Sequence, residues 1–314
     1  MRSLAVTDST FANQRNAVKE ERRLRIDNQP YSAAFLDGLY GVYDSTSCLA
    51  YAHPPIGSMA DLDAATADDA RAFFKLHYTP NNARLVVAGD FEPAEARRLI
   101  AGYFGDIPRG DTPSPVECRA EFNRGEVRRA VTDKLANLPA AMRLYRVSAH
   151  DHPDTPALEL LGIMLGQGES SRLNVKLARE ARAAVQTQAG IFGIRRGPSI
   201  LGALAIANQG VAADSLDAML AAVIGRLAAD GVTDGELAKA KNIFRATFIS
   251  QRECPQDIAE ELQHYAMFHG SIEEVNTDFG KFMAVTPEDI LRVAAAYLRP
   301  ENVLIVIVNP EAAS

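Results

Sequence analysis

Residues 66–90, TADDARAFFKLHYTPNNARLVVAGD, align without a gap to residues 286–310, TPEDILRVAAAYLRPENVLIVIVNP, at a constant offset of 220 residues. A chain that carries one supersecondary unit twice is expected to fold both copies by the same rules. Identities fall at Thr66/Thr286, Asp69/Asp289, Pro80/Pro300, Asn82/Asn302 and Val86/Val306. In each copy a threonine precedes the helical run and an aspartate stands three residues on, where it suits the positive end of the helix. About a dozen helical residues follow, and then a Pro-x-Asn turn, because proline cannot continue a helix. An apolar run starts after it, at Leu85, Val86 and Val87 in the first copy and over residues 303–308 in the second. Each copy therefore reads helix, turn, buried strand.

The flanking order agrees. A charged helix (residues 9–27) and an apolar one (33–43) precede the first copy, and helices near 234–252, 257–269 and 272–283 precede the second. The second unit also has a front half that the first lacks: strands over 126–132 and 141–147 around a Leu-Pro turn, helices over 154–165 and 170–181 with Ser170 as cap, strands over 184–192 and 200–208, and a helix over 213–229. The fold class is α+β, two homologous units of antiparallel sheet covered by helices, with the first unit lacking its N-terminal half. Residues 1–107 form the first unit, 108–125 a linker dense in proline and charge, and 126–314 the second unit. Applied to the start of the second unit, the offset places roughly ninety residues of the first before Met1.

Composition narrows the partners. Thirty-three Lys and Arg against 40 Asp and Glu give a formal net charge of -7, with no general pull toward nucleic acid or anionic lipid. No apolar run reaches the 18 or so residues of a membrane span. Cys48, Cys118 and Cys254 are odd in number and far apart, and read as ordinary thiols rather than as a disulfide framework or a thiolate zinc site. The N-terminus has no hydrophobic signal segment. A cytoplasmic location follows if Met1 is the true start, and a periplasmic or exported one if a signal peptide lies in the missing segment.

For chemistry, the helix carrying NQRNAVKEERRLR places Gln14 and Glu21 seven residues apart, so both face one way while Glu20 points elsewhere. Alone, such a run describes a solvated face laced with intrahelical ion pairs. However, QRNAVKEERR, DNQPYS, FFKLHYTPNNARLVVAGDF and YFGDIPRG together resemble the pitrilysin and insulinase family of zinc metallopeptidases. GQGESSRLNVKLAREARAAVQTQAG and TDGELAKAKNIFRATF resemble that family's second, non-catalytic half. The resemblance implies two zinc-binding histidines and a general-base glutamate in an H-x-x-E-H motif, with a third ligand from a later helix. By position the third ligand is Glu21, and Gln14 stands where the family often has a second glutamate. It also implies peptide contacts from the second half, for which Arg195 and Arg196 in IRRGPS are the candidates.

No H-x-x-E-H occurs in this sequence, and none of His53, His77, His150, His152, His264 and His269 rebuilds it. The His150-Asp-His152 and His264/His269 spacings do not place two ligands on one helix face. By the repeat, the motif belongs in the missing segment. Gly166-Gln-Gly168 lacks the lysine of a phosphate loop and reads as a helix-to-helix turn. The expectation is most of a zinc metalloendopeptidase, inactive in this form, with zinc in the complete protein but not held tightly by this chain. The alternative is a non-catalytic subunit that pairs with an active homologous partner or a second copy.

Overall fold

The computed structural model describes residues 2–116, 118, 125–193 and 196–311. Its contacts group the chain into two units that cut across the division expected from sequence. One comprises Met1–Leu24, Pro55–Val116 and Gln251–Ile272, the other Arg25–Pro54, Glu117–Ser250 and Glu273–Ser314. The helices are α1 (Asp8–Arg22), α2 (Ser32–Gly41), α3 (Met59–Ala64), α4 (Ala67–His77), α5 (Pro93–Phe104), α6 (Thr155–Gly166), α7 (Ala213–Asp230), α8 (Asp234–Ser250), α9 (Pro255–Phe268), α10 (Asp278–Ala284) and α11 (Pro287–Tyr297). The strands are β1 (Val127–Asp133), β2 (Ala140–Val147), β3 (Ala184–Phe192), β4 (Ser199–Ala207) and β5 (Val303–Pro310).

All five strands belong to the second unit and form one sheet in the order β1-β5-β2-β4-β3. The unbroken apolar run of β5 is explained by its place: it is buried on both faces, as a strand without polar alternation must be. Val303, Ile305 and Ile307 join the core beneath α6, α7 and α11, while Leu304, Val306 and Val308 pack on the opposite face with Ala34 and Tyr43 from α2 and the segment after it. Gly38 lets α2 lie this close, since a Cβ there would stand 2.6 Å from the Met142 methyl carbon. On the first face Asp217 of α7 receives Arg143 of β2 at 2.6 Å and Arg128 of β1 at 2.8 Å, which neutralises a buried carboxylate.

Two sequence expectations are corrected here. The sheet is mixed, because β1 runs parallel to β5 rather than pairing with β2 across the Leu-Pro turn. Strand β5, apolar on both sides, takes the covered place between them and leaves the exposed β1 at the edge. The cysteines are not three ordinary thiols: Cys48 and Cys118, 70 residues apart in sequence, form a disulfide with Cα atoms 4.3 Å apart, and only Cys254 is free. Sequence spacing could not show this, because the fold, not the local chain, brings the segment after α2 to the segment before β1.

The other unit is helical, built from α1, α3, α4, α5 and α9, and contains no strand among its described residues. The expected buried strand at Leu85, Val86 and Val87 does not form. Strand hydrogen bonds need a neighbouring strand, and this unit supplies none. Residues 66–90 are consequently exposed where the residues aligned with them in 286–310 are buried. Leu85 is 60% exposed and its counterpart Ile305 0%; Phe73 is 58% exposed and its counterpart Val293 0%.

Local structure is nonetheless shared. Thr66 and Thr286 each accept a hydrogen bond from the backbone N–H of the aspartate three residues on, and Asp69 and Asp289 return one from the threonine N–H. Both helices run for eleven residues. The turn asparagines also match, Asn82 Nδ2 donating to the His77 carbonyl at 2.9 Å and Asn302 Nδ2 to the Tyr297 carbonyl at 2.8 Å.

Candidate functional site

Helix α1 opens on a Thr7/Thr10 capping box with Asp8 in its first turn, and Lys19 and Arg22 stand in its last turn, where each charge complements the helix dipole. Its inner stripe is Phe11, Arg15, Val18 and Arg22, all partly buried. Arg15 Nη1 donates to the Ala65 carbonyl at 3.3 Å, and Lys19 meets Asp63 at 2.5 Å, holding that carboxyl below its ordinary range. These contacts fix the helix against α3 and α4. Gln14 is exposed, Glu21 is half-buried, and Glu20 turns outward to Arg23.

Among the described residues no trio of His, Cys, Asp and Glu ligand atoms includes Glu21. A zinc centre takes three or four such donors, so Glu21 and the described residues around it do not by themselves fit the metal. Three of the histidines make other contacts. His53 Nδ1 lies 2.6 Å from the Leu49 carbonyl, His77 lies against Phe73, and His152 Nδ1 accepts from the Asp154 N–H at 3.1 Å. The His264 and His269 rings come within 5.5 Å of each other, closer than a five-residue spacing on one helix suggests, because α9 ends at Phe268.

Arg195 lies outside the described residues, and Arg196 is exposed on the turn from β3 to β4. That turn is gripped by two tyrosines from far away in sequence. The Gly197 N–H donates to the Tyr51 hydroxyl at 3.2 Å, and the Tyr43 hydroxyl donates to the Pro198 carbonyl at 2.7 Å. Nothing in IRRGPS signals them, since they reach it only because α2 packs on the sheet.

Gly166 closes α6 onto β3, where a Cβ would strike the Ala189 backbone nitrogen, so its role is packing. Ser170 is not the expected cap, since its hydroxyl and carbonyl both face the Lys239 ammonium, and the turn is closed by Ser171 N–H to the Gly168 carbonyl at 3.1 Å. Two carboxylates of the second unit were not singled out by sequence. Glu159 on α6 has its carboxyl pushed up to about 7 by burial and by Asp278. Glu236, held by Arg172 at 2.7 and 2.9 Å and by Thr233, lies at about 2.

The family model described as peptidase M16 inactive domain matches residues 64–244. The chain belongs to this family. The resemblance to the pitrilysin and insulinase peptidases is thus borne out at the family level. The zinc protease PqqE of Helicobacter pylori is 29% identical over 99% of this chain and 69% of its own length. The crystal structure of a protease from Helicobacter pylori superposes with a TM-score of 0.90 at 27% identity, covering 99% of this chain and 74% of that one. The peptidase M16 inactive domain from Pseudomonas fluorescens shares the fold at a TM-score of 0.82 and 18% identity, over 98% of this chain and 72% of that one. No helix among the described residues is long and apolar enough to cross a membrane.

Proposed function

We infer that this chain is most of an M16 zinc metalloendopeptidase: the C-terminal half of the catalytic-type unit over residues 1–107, a linker over 108–125, and the non-catalytic homologous unit over 126–314. The observation that carries the reading is the exposed first repeat copy. Phe73, Tyr78, Leu85 and Val87 are all exposed, whereas Val293, Leu298, Ile305 and Ile307, at the same places in the second copy, are buried. Apolar surface arranged for a sheet, beside a segment with no strand to pair with, asks for the strands that β1 and β2 provide in the second unit. A front half carrying H-x-x-E-H would provide them, and would bring two histidines and a general base to Glu21.

Zinc belongs to that complete protein. This chain alone binds it weakly and does not hydrolyse peptides, because one carboxylate is a poor ligand set and no general base is present. Arg195 and Arg196 are the candidate donors to peptide carbonyls, and Gln14 can orient a neighbour by hydrogen bonding but cannot carry charge. The second reading is a non-catalytic subunit whose exposed copy is covered by a homologous partner or a second copy. The glutamine at position 14 favours it, since a site that does no chemistry tolerates the loss of a charge.

The deciding experiment reads the gene in frame upstream of Met1 and assays the resulting product for zinc and endopeptidase activity. An encoded H-x-x-E-H, one zinc per chain and loss of that zinc in Glu21→Gln support the first reading. Stoichiometric zinc retained in Glu21→Gln overturns the ligand assignment. A stop codon close upstream, with no zinc in the natural product, selects the subunit reading.

A further inference from the structure

The segment between α2 and Pro54 has little regular structure of its own, only a short 3-10 turn at Leu49–Tyr51, yet Cys48 and Tyr43 within it are fully or nearly fully buried. It covers the sheet face that bears Met142, Leu144, Ile200 and Val306. The Tyr43 and Tyr51 rings meet edge to face at 5.7 Å, and their hydroxyls engage the β3–β4 turn at Gly197 and Pro198. The same glycine touches the disulfide: a Cβ on Gly197 would lie 2.6 Å from Tyr51 Cε2 and 3.4 Å from the Cys118 Cβ. Disulfide, tyrosine pair and turn thus form one contiguous assembly within the contact-defined unit that holds the sheet.

We propose that the Cys48–Cys118 disulfide is a redox clamp that holds the 43–51 segment on the sheet and, through Tyr43 and Tyr51, fixes the β3–β4 turn that carries Arg196. The two tyrosine hydrogen bonds are neutral and each marginal against water, so the covalent link decides whether the segment stays in place. The clamp closes by thiol–disulfide exchange. One cysteine thiolate attacks the disulfide of a thiol–disulfide oxidoreductase and expels one of its thiolates, and the second cysteine thiolate then displaces the other. Two protein thiols are oxidised, one donor disulfide is reduced to a dithiol, and the two protons lost from the cysteines leave on the donor sulfurs. Such a donor works in an oxidising compartment, where this chain would carry the closed clamp. The geometry does not depend on the peptidase reading, and the test does not use activity.

Thiol titration of the protein refolded with glutathione disulfide, denatured without reductant, is expected to find one thiol, Cys254, and three after reduction. Three before reduction overturns the pairing. Limited trypsin digestion then reads the turn, because cleavage after Arg195 or Arg196 leaves identifiable termini. Reduction, or Cys48→Ser with Cys118→Ser, is expected to speed this cleavage at least tenfold while cleavage after Arg179 and Arg226 keeps its rate. Tyr51→Phe, with the disulfide intact, gives a smaller acceleration, and Cys254→Ser none. Equal rates at the turn with and without the disulfide overturn the clamp, as does an acceleration shared by every site, which would mean general unfolding.

Discussion

The aligned segments 66–90 and 286–310 begin alike and end differently. Thr66 and Thr286 make the same capping box, and Asn82 and Asn302 make the same bond back to the helix. Past the turn, residues 303–308 become an interior strand of a sheet, between β1 and β2, while Leu85, Val86 and Val87 form no strand. Caps and turns are closed by atoms within a few residues of one another, so a short sequence is enough to specify them. A strand is completed by its neighbours, and the same apolar letters fold only where those neighbours exist.

Matched substitutions can break this comparison. The largest expected effect is Ile305→Ala, which opens a cavity in the core of the sheet and should cost about 2–5 kcal/mol, against under about 0.5 kcal/mol for Leu85→Ala at the equivalent place. Urea unfolding followed by far-UV circular dichroism measures both. Comparable losses at the two positions would mean that the first copy is buried in solution. Next, Asn302→Ala strips buried bonds to the Arg146 and Tyr297 carbonyls and should cost about 1–3 kcal/mol, while the exposed Asn82→Ala should cost a fraction of that. The caps predict the opposite pattern: Thr66→Ala and Thr286→Ala should each cost about 0.5–2 kcal/mol, similar in both copies because the interaction is local. Amide exchange in α4 and α11 tests that parity.

The remaining prediction is electrostatic and sharpens the contrast within the second unit. Glu159, raised to about 7, holds a proton in the fold that the unfolded chain releases near pH 4.5, so its contribution to stability falls as pH rises from about 4.5 to 7. Glu236, lowered to about 2, stabilises above about pH 4.5 and loses that contribution as pH falls toward 2. Melting temperatures of Glu159→Gln should therefore decline less than wild type between pH 4.5 and 7. Those of Glu236→Gln should decline less toward acid, from a lower value at neutral pH.

Much of the fold was legible because its signals are periodic or local. The helices over 8–22 and 213–230 and the strands over 184–192 and 199–207 fall within a few residues of their expected places. What was not legible depended on meetings between distant segments: β5 entering between β1 and β2, Cys48 reaching Cys118, Tyr43 and Tyr51 reaching the β3–β4 turn. The same holds for the candidate site. Helical geometry placed Gln14 and Glu21 on α1, and the sequence contains no H-x-x-E-H. Glu159 escaped notice because a glutamate on an amphipathic helix looks solvated until the helix is docked.

The position of β5 between β1 and β2 also has a consequence for the order in which the molecule can be made. On a ribosome, every other strand of the sheet emerges before β5 does. Until residues 303–310 leave the exit tunnel, the nascent chain carries β2 with one edge unfilled and its apolar faces half covered, an interval in which it can pair with the wrong neighbour. Closure of the sheet therefore waits on its last strand in sequence, and until β5 is made the open edge of β2 is a hazard built into the order of the chain.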